Sequence, residues 1–115
     1  MRSRGATFET ARRLASALPA VEVGTSYGTP ALKVKGKLFA RQHEEPDWLV
    51  VKMPFDLRDG LMADDPETYF ITDHYRNYEW VLVRLSRVSE PALQELLRIA
   101  YRFAGKAGKA KTRRR

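Results

Sequence analysis

G-T-S-Y-G-T-P-A-L-K-V-K-G-K-L-F-A-R, running from Gly24 to Arg41, decides the fold. Its glycines, hydroxyls and lysines have the composition of a phosphate-binding loop. Such a loop requires G-x-x-x-x-G-K-[ST] between a strand and a helix, because backbone N–H groups and the helix N-terminus hold the phosphate. Here Gly24 and Gly28 are only four residues apart, and Pro30 and a strand pattern follow. The dinucleotide fingerprint fails in the same way. Backbone freedom in a turn is the better use of these glycines. The stretch therefore reads as strands Ala31–Val34 and Lys37–Gln42 turning around Gly36, preceded by a short strand over Val21–Thr25.

The register of that hairpin stays open in the sequence. If Gly36 is the third residue of a three-residue loop, Lys33 opposes Lys37. Lys33, Lys37, Phe39 and Arg41 then share one face. If Lys35-Gly36 form a two-residue turn, Val34 opposes Lys37, and Lys37 and Arg41 join Leu32, Val34 and Phe39 on the apolar face.

Outward from the hairpin, Thr7 is a candidate N-cap for a helix over Phe8–Leu18, whose apolar face is Phe8, Ala11, Leu14, Ala15 and Leu18. His43–Asp47 reads as a polar loop and Trp48–Lys52 as a strand rich in bulky and β-branched residues. Phe55–Ala63 suggests a short helix using Phe55, Leu57, Leu61 and Met62, broken at Asp64-Asp65-Pro66. Tyr69–Thr72 and Trp80–Val88 read as strands around a loop that includes Tyr75–Tyr78. Ser89 caps a last helix over Glu90–Phe103, with Leu93, Leu96, Leu97, Ala100 and Phe103 as its stripe. The order predicts an α+β fold of two layers, an antiparallel sheet with the N- and C-terminal helices packed on one face and a short middle helix.

The chain has 115 residues and a formal net charge of +7. That length allows one domain with a single core. The charge is uneven: residues 104–115, AGKAGKAKTRRR, hold six of the 21 basic residues and no acid, leaving 15 basic against 14 acidic residues in 1–103. The expected organisation is one domain over 1–103 and a basic, disordered tail over 104–115, because the tail has no apolar area to offset its ordering. There is no cysteine, which excludes disulfides, thiol nucleophiles and cysteine-based metal sites and fits the cytoplasm as the expected location. No apolar run approaches the roughly 18 residues of a membrane span, and no signal h-region is expected.

Two segments, V-E-V-G-T-S-Y-G-T-P-A-L-K-V-K-G-K-L-F-A-R (Val21–Arg41) and F-I-T-D-H-Y-R-N-Y-E-W-V-L-V-R-L (Phe70–Leu85), resemble the MmcQ/YjbR family over roughly residues 7–103. The resemblance implies a two-layer fold similar to the frataxin-like (CyaY-like) group, also described as double-wing, and DNA binding as the usual label. One departure is Glu79, where proline is expected in many relatives. Iron binding of the frataxin kind would use an acidic first helix, but this one sets Glu9 against Arg12 and Arg13.

The candidate chemistry falls in three places. Lys33, Lys35, Lys37, Arg41 and Arg76, with Lys106, Lys109, Lys111, Arg113, Arg114 and Arg115 of the tail, are the candidate phosphate contacts for non-specific DNA binding. Tyr27, Thr29, His74, Tyr75 and Tyr78 are the alternative, lining a pocket for a protein or small ligand between the Gly24–Pro30 turn and the His74–Tyr78 loop. In T-D-H-Y-R-N-Y, Asp73 and His74 are expected to fix the loop, with Tyr75 packed and Arg76 facing solvent. No nucleophile or third group completes a catalytic set, so no catalytic residue is assigned. With only His43 and His74, and no EF-hand or H-E-x-x-H spacing, no metal or cofactor is expected. A monomer is expected.

Overall fold

A computed structural model describes residues 6–113, with side chains described through Lys106. The elements are α1 (Phe8–Ala15), β1 (Val21–Ser26), β2 (Thr29–Val34), β3 (Lys37–Gln42), β4 (Trp48–Lys52), α2 (Phe55–Asp64), β5 (Tyr69–Phe70), β6 (Trp80–Arg84) and α3 (Glu90–Arg113), with a 3-10 turn at Asp73–Tyr75. The strands form one antiparallel sheet in the order β1-β2-β3-β4-β6-β5. Helices α1 and α3 cover one face, and the α+β two-layer architecture expected from the sequence is the one observed. No helix among the described residues is long and apolar enough to cross a membrane.

Alternation builds the helix-side core. Leu32, Val34, Phe39, Ala40, Leu49, Val51, Val81 and Val83 meet Ala11, Ala15, Leu93, Leu96, Leu97 and Ala100 from the helices. The Phe39 ring meets Tyr101 edge-on at 5.8 Å. Thr7 caps α1 in a capping box with Thr10, and Ser89 Oγ accepts from Ala92 N–H at 3.2 Å to cap α3. Helix α1 ends at Ala15, before the expected Leu18. Ser16 takes the cap position, its hydroxyl donates back to Arg12 O, and Ala20 turns left-handed beyond Pro19.

Helix α3 runs past Phe103, where its stripe predicts an end, to Arg113. The tail expected to be disordered therefore starts as helix. Ala104 is buried against the core, and alanine and lysine extend an anchored helix readily. The side chains of Lys109, Lys111, Arg113, Arg114 and Arg115 lie outside the described residues. Strand β6 ends at Arg84 instead of Val88, because Asp47 stops it. Leu85 N–H donates to Asp47 O at 2.7 Å, and the Asp47 carboxylate accepts from Ser86 N–H at 2.8 Å and its hydroxyl at 2.7 Å. Strand β5 likewise stops at Phe70, two residues short of the expected Thr72.

The hairpins fix which residues face which side. Lys35 and Gly36 form a two-residue turn with φ of 53° and 77°, so Val34 opposes Lys37. Beyond it the register shifts: Lys33 opposes Leu38, but Leu32 opposes Ala40, leaving Phe39 as the extra residue of a β-bulge. Phe39 and Ala40 both face the helices, and Arg41 is returned to the open face with Lys33, Leu38 and Ala31. The two-residue turn was one of the readings open in the sequence, but the bulge overturns its consequence. Lys37, not Arg41, shares the helix-side face. Tyr27 and Gly28 form the equivalent turn between β1 and β2, with φ of 55° and 80°. Gly24 lies within β1 opposite Ala31 and is not part of a turn.

Candidate functional site: a cavity on the open face of the sheet

The sheet face away from α1 and α3 carries a second, smaller core. Val50, Tyr75 and Leu82 are buried there, with Trp48, Phe70, Ile71 and Trp80 packed around them. The segment Thr72–Tyr78 folds over this face. Between it and the Tyr27-Gly28 turn lies a cavity of about 350 Å³, with Leu38 and Val50 as strand residues beneath and Tyr27, Arg41, His74, Tyr75, Tyr78 and Trp80 around. An adjoining cavity of about 330 Å³ shares Tyr27, Arg41, His74 and Tyr75 and adds His43, Glu44 and Thr72.

Arg41 belongs to both cavities. It is only 7% exposed, which ill suits a phosphate contact on a solvated wing. One terminal nitrogen, Nη1, donates to Thr29 Oγ1 and Gln42 O, each at 3.1 Å. The other, Nη2, has only the Tyr75 hydroxyl at 3.4 Å and the exposed Glu44 carboxylate at 3.7 Å. The Tyr27 ring lies 5.1 Å from its guanidinium carbon. Thr29 therefore stands behind Arg41 and does not line the larger cavity itself. Tyr27, His74, Tyr75 and Tyr78 do line it, as the sequence placed them.

His43 flanks the same group. Its Nδ1 accepts from Glu45 N–H at 2.9 Å, and its ring lies 4.9 Å from Trp48 and 6.5 Å from Tyr75. Burial pushes the imidazole below its ordinary pKa, against the opposing pull of Glu44. Glu44 Oε1 stands 3.8 Å from the same Nδ1, but a nitrogen that accepts a backbone N–H carries no proton and makes no ion pair.

The 72–78 segment is not fixed as the sequence suggests. Asp73 pairs with Arg76, and His74 is exposed, its ring edge-on to Tyr75 at 4.7 Å. Tyr75 is buried and Arg76 faces solvent, as expected. The organising group is Arg58 of α2, which is 5% exposed. Its Nη1 donates to Tyr75 O, Tyr78 O and Trp80 O at 3.1, 2.7 and 3.2 Å, and its Nη2 to Arg76 O at 3.2 Å. Phe55 and Leu57, expected to be part of the buried side of α2, are exposed. The inward face is Arg58, Leu61 and Met62. That i, i+3, i+4 spacing was the one sequence signal for Arg58, which occupies a position the period reserves for an apolar side chain.

The basic residues do not converge on one surface. Lys33 and Lys37 project from opposite faces of the β2–β3 hairpin, so the single-faced wing that required Lys33, Lys37 and Arg41 together is not formed. Lys35 instead meets Arg102 and Lys106 of α3 along a shallow groove with Tyr101, and Arg76 stands apart on the open face. No group of three or more metal-ligating side chains was found among the described residues.

No curated protein matches the chain. Among solved structures, the crystal structure of Deinococcus radiodurans protein DR2400, described with a DUF419 domain, is similar in fold. It has a TM-score of 0.78 and 24% identity, covering 94% of this chain and 85% of that one. The YjbR family profile matches residues 16–103. That span takes in both hairpin turns, Arg58 and the whole Thr72–Trp80 segment, every part that builds the open-face cavity, and the chain belongs to the MmcQ/YjbR family.

Proposed function

We propose that this protein is a non-catalytic binding module that takes a small ligand in the open-face cavity. The observation that carries the reading is the cavity itself. A turn and a latched loop, far apart in sequence, bring four aromatic rings and a nearly buried arginine around about 350 Å³, within the usual size range of ligand sites. Mixed charge and concavity suit a small ligand better than a DNA backbone, which needs a continuous basic track.

A second reading, weak non-specific binding of duplex DNA, is favoured by the groove in which Lys35 meets Arg102 and Lys106 where α3 enters the basic tail. One experiment separates the two. Amide and side-chain NMR shifts are recorded while a fragment library, and separately a short DNA duplex, are added to the full chain. The cavity reading expects fragment-induced shifts at Tyr27, Tyr75, Tyr78 and Trp80. A protein that ignores every fragment but responds to duplex at Lys35, Arg102 and Lys106 would replace it with the DNA reading. Removing residues 104–115 should then flatten the log–log salt slope by about 0.9 for each lost phosphate contact.

A further inference from the structure

We infer that the open-face cavity selects a flat aromatic ring bearing an anionic group, a carboxylate or a phosphate; this rests on the binding-module reading above. Two independent features point there. The first is the state of Arg41. Its guanidinium is almost fully removed from solvent, yet its nearest carboxylate, Glu44, is 3.7 Å away and 60% exposed. Among the described residues, Nη2 has the long contacts to the Tyr75 hydroxyl at 3.4 Å and to the Glu44 carboxylate at 3.7 Å. A desolvated cation whose counter-charge is distant and solvent-exposed is incompletely compensated, and an incoming anion that takes up Nη2 relieves that cost. The Tyr75 hydroxyl stands beside it as a second donor, and Thr72 and His43 border the adjoining cavity.

The second feature is the set of rings. Tyr27 is 81% and Tyr78 60% exposed, and neither belongs to the core. Both border the cavity, from opposite sides of the open face, and Trp80 completes the aromatic surround. Tyr27 is also held at a left-handed φ of 55°, where asparagine or glycine would serve the turn better. Its ring is what the turn gains from tyrosine. Aromatic rings bordering one cavity suit a flat partner, with the anion directed to Arg41. The volume limits that partner to one or two rings.

Two matched probe pairs test this by NMR titration of the full chain: indole-3-carboxylate against indole-3-carboxamide, and adenosine 5′-monophosphate against adenosine. The acid of at least one pair is expected to bind about tenfold or more tighter than its neutral partner, and the responding pair says whether the anion is a carboxylate or a phosphate. Shifts should centre on Arg41, Tyr75, Tyr78 and Trp80. Arg41→Gln should bring the acid down to the affinity of the neutral partner. Because that variant removes a nearly buried group, Tyr27→Asn and Tyr78→Ser provide a second arm at exposed positions. Each should weaken acid and neutral probe alike by several-fold. Equal binding of acid and neutral partner at the cavity overturns the anion preference and leaves the binding module standing. Acid-specific shifts confined to Lys35, Arg102 and Lys106, or acid binding unchanged in both ring variants, overturn the inference. A cavity silent to all four probes and to the fragment library overturns both readings.

Discussion

Replacing Arg58 with methionine should cost about 3 kcal/mol of stability and loosen the loop over the cavity. The size follows from what each carbonyl would keep. Hydrogen bonds to a charged group contribute about 1.5–3 kcal/mol each, so four of them would naively exceed 6 kcal/mol. Burying the guanidinium offsets much of that, the more so because its Nε has no hydrogen-bond partner and Asp59 lies 3.8 Å off. Two carbonyls also keep another donor: Tyr75 O accepts from Tyr78 N–H at 3.1 Å, and Tyr78 O from Trp80 N–H at 2.8 Å. Arg76 O and Trp80 O are the ones abandoned. Trp80 O points away from β4, because the neighbouring pair Met53–Glu79 is the hydrogen-bonded one. Strand β5 stops at Phe70 and does not reach it. Two abandoned carbonyls at about 1–3 kcal/mol each, with the apolar stem preserved by methionine, leave the stated figure. Urea unfolding with an unchanged m-value measures it, and hydrogen exchange locates it. Amides of residues 75–81 should exchange much faster in the variant while those of β3 and β4 do not. A loss under about 1 kcal/mol with exchange unaltered in 75–81 would show that the loop holds itself.

Protonation of His43 should destabilise the fold. Its folded pKa is lowered by burial, so the unfolded chain takes up the proton more readily; the stability due to neutral His43 is complete above its unfolded pKa and is lost as pH falls through that value toward the lower folded one. An imidazole NMR titration should place the His43 midpoint below about 6.5, and His43→Gln should flatten the acid limb of the stability curve; a midpoint at or above that value refutes the assignment. Tyr27→Asn should stabilise the β1–β2 hairpin by roughly 0.5 kcal/mol, since asparagine tolerates left-handed φ, and thermal unfolding monitored by circular dichroism checks the sign.

Period and turn chemistry made most of the fold legible. Trp48–Lys52, rich in bulky and β-branched residues, was found with its observed bounds, and the capping residues Thr7 and Ser89 marked the starts of α1 and α3. The cavity residues Tyr27, His74, Tyr75 and Tyr78 were visible as an unusual aromatic and polar concentration flanking two loops. Three features were hidden for physical reasons. The bulge left no mark because Phe39 and Ala40 are both apolar and either can face a core. The two central residues of the turn expected within Gly24–Pro30 were obscured because tyrosine is an unusual occupant of a left-handed position. Arg58 reads locally as one more charged residue on a short surface helix. Its partners are carbonyls 17 to 22 residues downstream, and carbonyls carry no sequence signature. His74 drew the role that Arg58 fills because a side chain inside the loop is visible to local reading and one outside it is not.

The bulge at Phe39 joins the fold to the site. Continue the β2–β3 register from Val34–Lys37 and Lys33–Leu38 without it, and Leu32 would oppose Phe39 and Ala31 would oppose Ala40. Arg41 would then point to the helix side, toward the apolar core, where burying a guanidinium would be costly. Ala40 would face the cavity in its place and leave it without a cation. One inserted residue resolves both problems. It keeps the Phe39 ring in the core against Tyr101, turns Ala40 to the same side and passes Arg41 through to Thr29 and Tyr75. The same step separates Arg41 from Lys37 and thereby divides the basic stretch that the sequence presents as continuous. What looks like a phosphate-binding wing in the order of residues becomes, through a two-residue turn and a one-residue bulge, one arginine inside an aromatic cavity and two lysines on opposite faces of a hairpin.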